Sequence, residues 1–262
     1  MSLLFIHWNP DPFLHFGSAE IRWYSLLFGL AVLSGCYLLR WFFIRENAPQ
    51  SELLPLYAVI FFGGIIGARL VHCFFYDWAY FSQHPDEILM FWNGGFRGLA
   101  SHGGGLGMIT GIYLFSRFRG QIHFWWYIDR LAIALPAGGI LIRLGNLINS
   151  EIIGLPADVP WAFIFESIDQ VPRHPVQIYE MIMLSGLLAF MLYQYLNKLE
   201  SIPFGRFVAW FFIVVPTGRF FIDYFKNDEY WMLGLKTGQI LHIPFLILGI
   251  FLWYMSEKRR LN

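Results

Sequence analysis

The sequence predicts an all-α integral membrane protein in which about seven transmembrane helices surround a polar central cavity. Of its 262 residues, 57% are hydrophobic and only 14% are charged. Its mean hydropathy of +0.51 is higher than that of ordinary water-soluble domains. Charged and amide side chains also cluster at the ends of apolar runs. They predict the cavity, because polar groups within a bilayer are costly unless they face one another or a ligand.

Seven apolar runs approach the length of a membrane helix, which needs about 20 mainly apolar residues. Spans are therefore expected over residues 22–42, 53–76, 102–117, 124–142, 176–196, 205–225 and 239–256. The third run is the shortest and is rich in glycine. Because no internal repeat or long linker divides the chain, residues 1–262 are expected to form a single membrane domain.

The distribution of lysine and arginine predicts the orientation of these spans. If the amino terminus is outside, most of these residues fall on the inner side: Arg40, Arg45, Arg117, Arg119, Arg130, Lys198, Arg206, Lys258, Arg259 and Arg260. Fewer fall on the outer side: Arg22, Arg97, Arg173, Lys226 and Lys236. Basic residues favour the cytoplasmic side of a membrane protein. The carboxyl terminus is therefore expected in the cytoplasm.

Three segments lie outside the predicted spans on the outer side. Residues 1–20 mix large apolar residues with proline and glycine and are expected to lie at the membrane interface, with a disordered tail as the alternative. Residues 77–101 and 143–175 carry prolines, acids and aromatics and are expected to form structured outer loops. Function is therefore expected on the outer face.

Composition and cysteine placement exclude several classes of function. The formal net charge is zero, so nothing indicates a nucleic acid partner. Cys36 and Cys73 lie in apolar runs, away from any Cys/His pair with metal-ligand spacing. They are interpreted as small buried hydrophobes and not as a disulfide, a nucleophile or metal ligands.

The stretch from Arg143 to Gly154 is the main candidate for a functional site. Its arginine offers a planar fork of donors that suits a phosphate, and Asn146, Asn149 and Glu151 could hold that fork or a polar headgroup. The glycine that ends the stretch lets the backbone approach a bound group closely. The alternative is a polar turn whose groups satisfy one another.

A second candidate begins the third predicted span, where His102 precedes Gly103, Gly104 and Gly105. Exposed amides at the amino terminus of a helix suit an anion, and a histidine can accept a proton near neutral pH. The alternative is that the glycines only permit close helix packing.

A third candidate lies at the end of the sixth span, where Arg219, Asp223 and Lys226 share one helix face. A charged stripe on an aromatic span should face the protein interior. The alternative is an Arg219–Asp223 ion pair that only stabilises the helix.

Other polar residues lie at or within spans and are weaker candidates. Gln177 and Glu180 lie three residues apart, on one face, at the start of the fifth span, and capping and packing alone are the alternative to a functional role. Tyr24 and Arg69 lie in otherwise apolar runs. Together, the candidates outline a cavity that opens outward.

These blocks resemble one known family. Residues 21–24, 102–104, 143–154, 174–180 and 219–226 resemble, in the same order, the prolipoprotein diacylglyceryl transferases. The third block matches the specific family pattern Arg-x-Gly-Asn-x-x-Asn-x-Glu-x-x-Gly. The resemblance covers nearly the whole chain.

This resemblance implies a seven-helix enzyme of the bacterial inner membrane. Such an enzyme transfers the diacylglyceryl group of phosphatidylglycerol to the lipobox cysteine thiol of a preprolipoprotein, the first step of lipoprotein maturation. A thioether and glycerol phosphate result. The resemblance implies that its partners are this lipid and the signal peptide, within membrane lipid, and that no metal or organic cofactor is needed.

The resemblance and the local patterns together predict roles for individual residues. By the resemblance, functional positions are matched by His102, Arg143, Asn146, Glu151, Gly154, Arg219 and Tyr24. The residues expected to be catalytic are His102, Arg143, Arg219 and Tyr24. Those expected to bind substrate are Arg143, Asn146, Asn149, Glu151, Gly154, Gly103, Gly104, Arg219 and Asp223. The chain departs from the family by a third glycine after His102 and by Asp223 and Lys226, where Glu and Arg are usual.

Two questions stay open at the level of sequence. The base that activates the thiol could be His102, or an arginine could merely lower the pKa of the thiol. A transporter for an anionic solute is the alternative function, although such transporters usually contain internal repeats.

Overall fold

A computed structural model describes residues 5–17, 19–88, 98–228 and 230–261, and most of them are helical. The helices are α1 (Trp23–Arg45), α2 (Leu53–Val71), α3 (Trp78–Phe81), α4 (Ser101–Phe118), α5 (Phe124–Ile148), α6 (Val176–Lys198), α7 (Arg206–Ile222) and α8 (Thr237–Leu261). Helix α2 continues as a π-helical turn at His72–Tyr76, and α7 continues as a 3₁₀ turn at Asp223–Phe225. Each predicted span corresponds to one of these helices.

Six helical segments in the described part of the chain are long and apolar enough to cross a membrane. They contain α1, α2, α5, α6, α7 and α8. The predicted third span, residues 102–117, forms helix α4 but is not one of the six. Its glycines, His102 and Arg117 lower its apolar character. The fold is thus a multi-pass helical membrane protein.

Short strands are the feature that the sequence did not reveal. They are β1 (Ile6–Trp8), β2 (Phe13–Phe16), β3 (Ala19–Arg22), β4 (Phe163–Phe165), β5 (Pro172–Arg173), β6 (Tyr230–Met232) and β7 (Leu235–Lys236). Strand β4 pairs in parallel with β1 and antiparallel with β5, while β2–β3 and β6–β7 are antiparallel pairs. The described part of the amino-terminal segment is therefore a strand and a hairpin, not a disordered tail.

The chain divides into two compact units, one of residues 1–38 and 129–262 (unit 1) and one of residues 39–128 (unit 2). In unit 2, glycines bring α2 and α4 into backbone contact. A methyl group added at Gly67 would overlap Gly103 and Gly107, and one added at Gly107 would overlap Gly63. Small residues permit such close approach between membrane helices. One added at Gly105 would meet nothing within 4 Å.

The segment between α3 and α4 also belongs to unit 2. The buried Arg69 donates from Nη2 to the carbonyl of Glu87 at 2.8 Å and from Nε to that of Ile88 at 3.1 Å. It therefore ties α2 to the described part of the predicted 77–101 loop. Residues 89–97 of that loop lie outside the described residues.

In unit 1, the first strand supports the end of α5. The indole Nε1 of Trp8 donates to the carbonyl of Leu147 at 2.8 Å, in the last turn of that helix. Trp8 and Leu147 also pack with Phe163 and Phe165 of β4. This apolar cluster fixes the helix end from which the Arg143–Gly154 stretch continues.

Candidate functional site

Arg143 and Asn146 lie in the last turns of α5, one turn apart. The helix continues to Ile148, so the predicted loop of residues 143–175 begins as helix. Arg143 donates from Nη1 to Oδ1 of Asn146 at 3.1 Å, and Asn146 donates from Nδ2 to Oε2 of Glu151 at 3.0 Å. Asn149 donates to the other carboxylate oxygen at 3.3 Å. Asn146 therefore holds the arginine fork, and Glu151 accepts hydrogen bonds from both amides. These bonds fit a preorganised site and also the alternative of a polar turn whose groups satisfy one another, so the substrate-binding roles stay predictions.

The turn that carries Glu151 has an unusual backbone. Ser150 and Ile152 have φ angles of 54° and 58°, in the left-handed region that a β-branched residue such as Ile152 rarely adopts. Two hydrogen bonds stabilise this turn. The amide of Glu151 donates to the carbonyl of Asn146 at 2.8 Å, and Nε2 of Gln177 donates to the carbonyl of Glu151 at 2.6 Å. The turn is therefore fixed from both sides.

Gly154 ends the stretch at a place where no side chain fits. A methyl group added there would overlap the carbonyl oxygen of His174 and lie 2.9 Å from that of Phe225. Arg173 donates from Nη1 to the carbonyl of Gly154 at 3.2 Å. The described contacts give this glycine a packing role, and its substrate-binding role stays a prediction.

The centre of the site is the carboxylate of Glu180, whose side chain is 1% exposed. Arg143 Nε lies 2.6 Å and Arg219 Nη2 3.0 Å from its Oε2 atom, while Lys226 Nζ lies 3.0 Å from Oε1. Both arginines of the predicted site therefore meet at one oxygen atom. Three cations surround this carboxylate, and with Asp223, which pairs with Lys226, they outnumber the carboxylates by one.

Exposure differs among these cations. The side chain of Arg219 is 31% exposed, whereas those of Arg143 and Lys226 are nearly buried. Arg219 uses Nε and Nη2 on Glu180, at 3.3 and 3.0 Å. It is therefore oriented by the buried carboxylate while part of the guanidinium stays accessible.

Asp223 forms a second layer behind this centre. Its Oδ1 atom lies 2.6 Å from Lys226 Nζ, and its Oδ2 atom lies 3.2 Å from His242 Nε2. Among the described ion pairs, Arg219 pairs with Glu180 and Asp223 with Lys226 and His242. The helix-stabilising Arg219–Asp223 pair, left open by the sequence, is therefore not the arrangement found.

Tyr24 packs on the same helix as Arg143. A methyl group added at Gly145 would lie 2.9 Å from Cδ2 of the Tyr24 ring. This approach places the ring beside the last turns of α5, two residues from Arg143 in sequence. A catalytic role for Tyr24 stays a prediction.

The other predicted motif lies in unit 2 and is described by itself. His102 is exposed in the first turn of α4. Gly103 packs against Gly67 and Val71 of α2, and Gly104 faces Gly64 and Ala68 at distances of 3.5 Å or more. Packing thus accounts for these two glycines, and the roles predicted for all three residues stay predictions.

Three residues of the charged network were not among those expected to act in catalysis or substrate binding: Glu180, Lys226 and His242. For Glu180, capping and packing were left open beside a functional role, and a carboxylate at the start of an apolar span is itself a signal of function. His242 lies within an apolar helix and carried the same signal. Lys226 was recognised as part of a charged face, but its contact with Glu180 could not be inferred from local spacing.

No group of three or more His, Cys, Asp or Glu side chains suited to a metal ion occurs in the described part of the chain. Cys36 and Cys73 are free thiols, with Cys73 buried. The side chains gathered around Glu180 carry guanidinium, ammonium, carboxylate and amide groups.

Fold and site together define a multi-pass helical membrane protein with cations gathered at a buried carboxylate near helix ends, an arrangement suited to an anionic headgroup. A family model described as prolipoprotein diacylglyceryl transferase matches residues 12–255. The chain belongs to this family, which confirms the resemblance noted in the sequence.

Three similar proteins agree with this assignment, and each is named phosphatidylglycerol--prolipoprotein diacylglyceryl transferase. The protein of Chloroherpeton thalassium is 41% identical, over 98% of this chain and 96% of its own length. The protein of Tolumonas auensis is 39% identical, over 97% of this chain and 99% of its own length. That of Bacteroides fragilis is 37% identical, over 98% of each. The transporter alternative is not favoured.

Proposed function

We propose that this chain transfers the diacylglyceryl group of phosphatidylglycerol to a cysteine thiol of a prolipoprotein. Family membership and the names of its relatives support this reaction. The observation in the structure that best supports it is the meeting of Arg143 and Arg219 at one carboxylate oxygen of Glu180. The thiol is that of the lipobox cysteine, and the products are a thioether and glycerol phosphate.

The reaction is a displacement at a glycerol carbon. The sulfur forms a bond to that carbon, the bond from carbon to the phosphate oxygen breaks, and the thiol proton is lost. The bonding electrons leave with the phosphate, so negative charge grows on the departing glycerol phosphate. A preorganised donor aimed at such a charge contributes about 3 kcal/mol.

Arg143 and Arg219 are suited to this task because their guanidinium groups are oriented before any substrate binds. Glu180 and Asn146 together hold Arg143 at two nitrogen atoms. Glu180 also holds Arg219, and part of that guanidinium group stays accessible. We assign the phosphate to these two arginines, with Asn149, Glu151 and the adjoining turn close to the glycerol headgroup.

Loss of the thiol proton requires a base or a nearby cation, because a thiol with a pKa of about 8.5 is only a few per cent ionised at neutral pH. We assign this step to His102, which is exposed at the amino end of α4. The test is the activity of His102→Gln between about pH 6 and 8. Full turnover across that range would exclude the histidine as the base and favour an arginine that lowers the thiol pKa.

The membrane arrangement is also a proposal. We place the chain in the bacterial inner membrane with seven spans, which are the six long apolar helices and α4. A polar cavity opens to the outer face. The excess of lysine and arginine in the segments assigned to the cytoplasm supports an outer amino terminus. Labelling of single cysteines introduced at residues 47 and 157 of the described chain would test it. The proposal fails if only residue 47 is reached from outside.

The reaction itself is tested with purified protein, phosphatidylglycerol and a lipobox peptide. We expect the peptide to gain the mass of one diacylglyceryl group and glycerol phosphate to appear in equal amount. A peptide with serine in place of the lipobox cysteine and a zwitterionic lipid are the controls. Absence of the mass gain with folded protein would refute the proposed function.

A further inference from the structure

Three polar side chains lie where strand β7 leads into α8, although α8 is an apolar membrane helix. They are Lys236, Gln239 and His242, spaced three residues apart. Lys236 and Gln239 are 1% and 0% exposed. The side chain of His242 is also mostly buried. Burial of such groups is costly unless each has a partner.

Two of these residues bind the carboxyl-terminal end of α7. Gln239 donates from Nε2 to the carbonyl of Phe220 at 3.1 Å and accepts the amide of Lys236 at 2.9 Å. Lys236 Nζ donates to the carbonyls of Tyr224 and Lys226, at 3.2 and 2.5 Å. The last carbonyls of a helix lack partners within it, and a cation stabilises that end. Lys236 and Gln239 therefore fix the turn that carries Asp223 and Lys226.

The third residue fixes a side chain instead of the backbone. His242 Nε2 lies 3.2 Å from Asp223 Oδ2, and the next contact along this line is the 2.6 Å pair of Asp223 Oδ1 with Lys226 Nζ. Gly238 permits this close approach, because a methyl group there would overlap Asp223 Oδ2. A continuous line of contacts thus runs from α8 to Lys226 and, through Glu180, to both arginines.

We propose that Lys236, Gln239 and His242 are positioning residues for the transfer reaction. They hold Asp223 and Lys226 so that the ammonium group stays on Glu180, and Glu180 in turn orients the two guanidinium groups. This inference rests on the proposed function. Stability alone does not require these residues, since well-packed apolar side chains are often as stabilising as a buried ionic network. Their role is therefore in the geometry of the site.

The first test compares two substitutions of His242. His242→Leu removes the contact with Asp223, whereas His242→Gln retains an N–H donor. We expect the leucine variant to lose about tenfold in kcat with a small change in KM for the lipid, because misplacement of catalytic groups lowers the rate of the chemical step. The glutamine variant should retain most activity. Leu241→Ala, on the exposed side of the same turn, is the control.

The second test uses Lys236→Met and Lys236→Arg. Loss of the ammonium group should lower kcat about tenfold, and arginine should restore it. Thermal unfolding of each variant is measured beside kcat, at an assay temperature where all variants are folded. A loss of activity that only follows the folded fraction, or equal kcat values for the leucine variant, the glutamine variant and the unmodified chain, would overturn the inference.

A binding measurement separates this inference from the proposed function. Glycerol phosphate carries the negative charge that develops on the departing group and is absent from the intact lipid, so its binding reports on the placement of the two arginines. It should raise the unfolding temperature of the unmodified protein, and it should raise that of His242→Leu and Lys236→Met less. Equal shifts in all three proteins would overturn the positioning role even if no transfer were detected. Absence of transfer by the unmodified protein, with these differences in binding present, would refute only the proposed reaction.

Discussion

The stretch from Arg143 to Gly154 in unit 1 and the His102–Gly105 motif in unit 2 were both predicted to hold an anion, yet the structure uses them differently. In the first, side chains form a network of hydrogen bonds and ion pairs centred on Glu180. In the second, glycines bring two helices into backbone contact. Charged groups indicate a ligand more directly than glycines, since small residues serve packing in any membrane protein.

The strongest test of the first region is removal of its shared carboxylate. Glu180→Ala leaves Arg143, Arg219 and Lys226 without their common partner, and loss of one partner of a buried ion pair costs about 3–5 kcal/mol. We expect a large drop in the unfolding temperature together with loss of transfer. Glu180→Gln keeps the shape and is the control. Unchanged stability of the alanine variant would show that the network is not formed.

Arg143→Ala should have the next largest effect, mainly on activity, because Glu180 keeps Arg219 and Lys226 as partners and the loss of stability should be smaller than in Glu180→Ala. Removal of one preorganised donor lowers kcat by about 10²–10³-fold. Saturation with phosphatidylglycerol should not restore the rate, because the interaction is strongest in the transition state. Arg143→Lys keeps the charge but loses the fork and should recover only part of the rate. Recovery of full kcat at high lipid concentration would reduce Arg143 to a binding residue.

The second region is tested by Gly107→Ala. The added methyl group would meet the backbone of Gly63 and Gly67, which has no room to yield, and overpacking of this kind costs about 1–3 kcal/mol. Gly105→Ala, which faces open space, is the matched control and should leave the unfolding temperature unchanged. If Gly105→Ala abolished transfer in stable protein, the His102–Gly105 motif would have a direct role in binding substrate in addition to helix packing.

The smallest expected effect is a pH dependence at His174, beside Gly154. Burial lowers the pKa of His174 below its ordinary value of 6.5, and its Nδ1 atom lies 2.9 Å from the hydroxyl of Tyr179. The unfolded chain therefore binds a proton more readily than the folded one. The contribution to stability is complete above about pH 6.5 and falls as the pH decreases below it. Unfolding temperatures of the unmodified protein and of His174→Gln are measured at several pH values. As the pH decreases below about 6.5, the unfolding temperature of the unmodified protein should fall more than that of the variant.

Sequence predicted the helices and the local contacts of the site. The runs of apolar residues located each long helix of the described chain, and Asn146 was one of the residues expected to hold the Arg143 fork or a headgroup. The meeting of Arg143 with Glu180 and Lys226 joins residues far apart in the chain, so no local pattern reveals it. The three-residue strand β1 was missed for a related reason, because its partner β4 lies more than 150 residues away.

The pairing of β1 with β4 has a practical consequence for work with this protein. Trp8 donates a hydrogen bond to the last turn of α5, the helix that carries Arg143. The strand that contains Trp8, β1, pairs with β4 from the middle of the chain. Trimming the first ten residues would remove strand β1 and the hydrogen bond from Trp8 to Leu147, and would therefore disturb the end of α5 from a distance. Shortened versions of the chain should keep these residues.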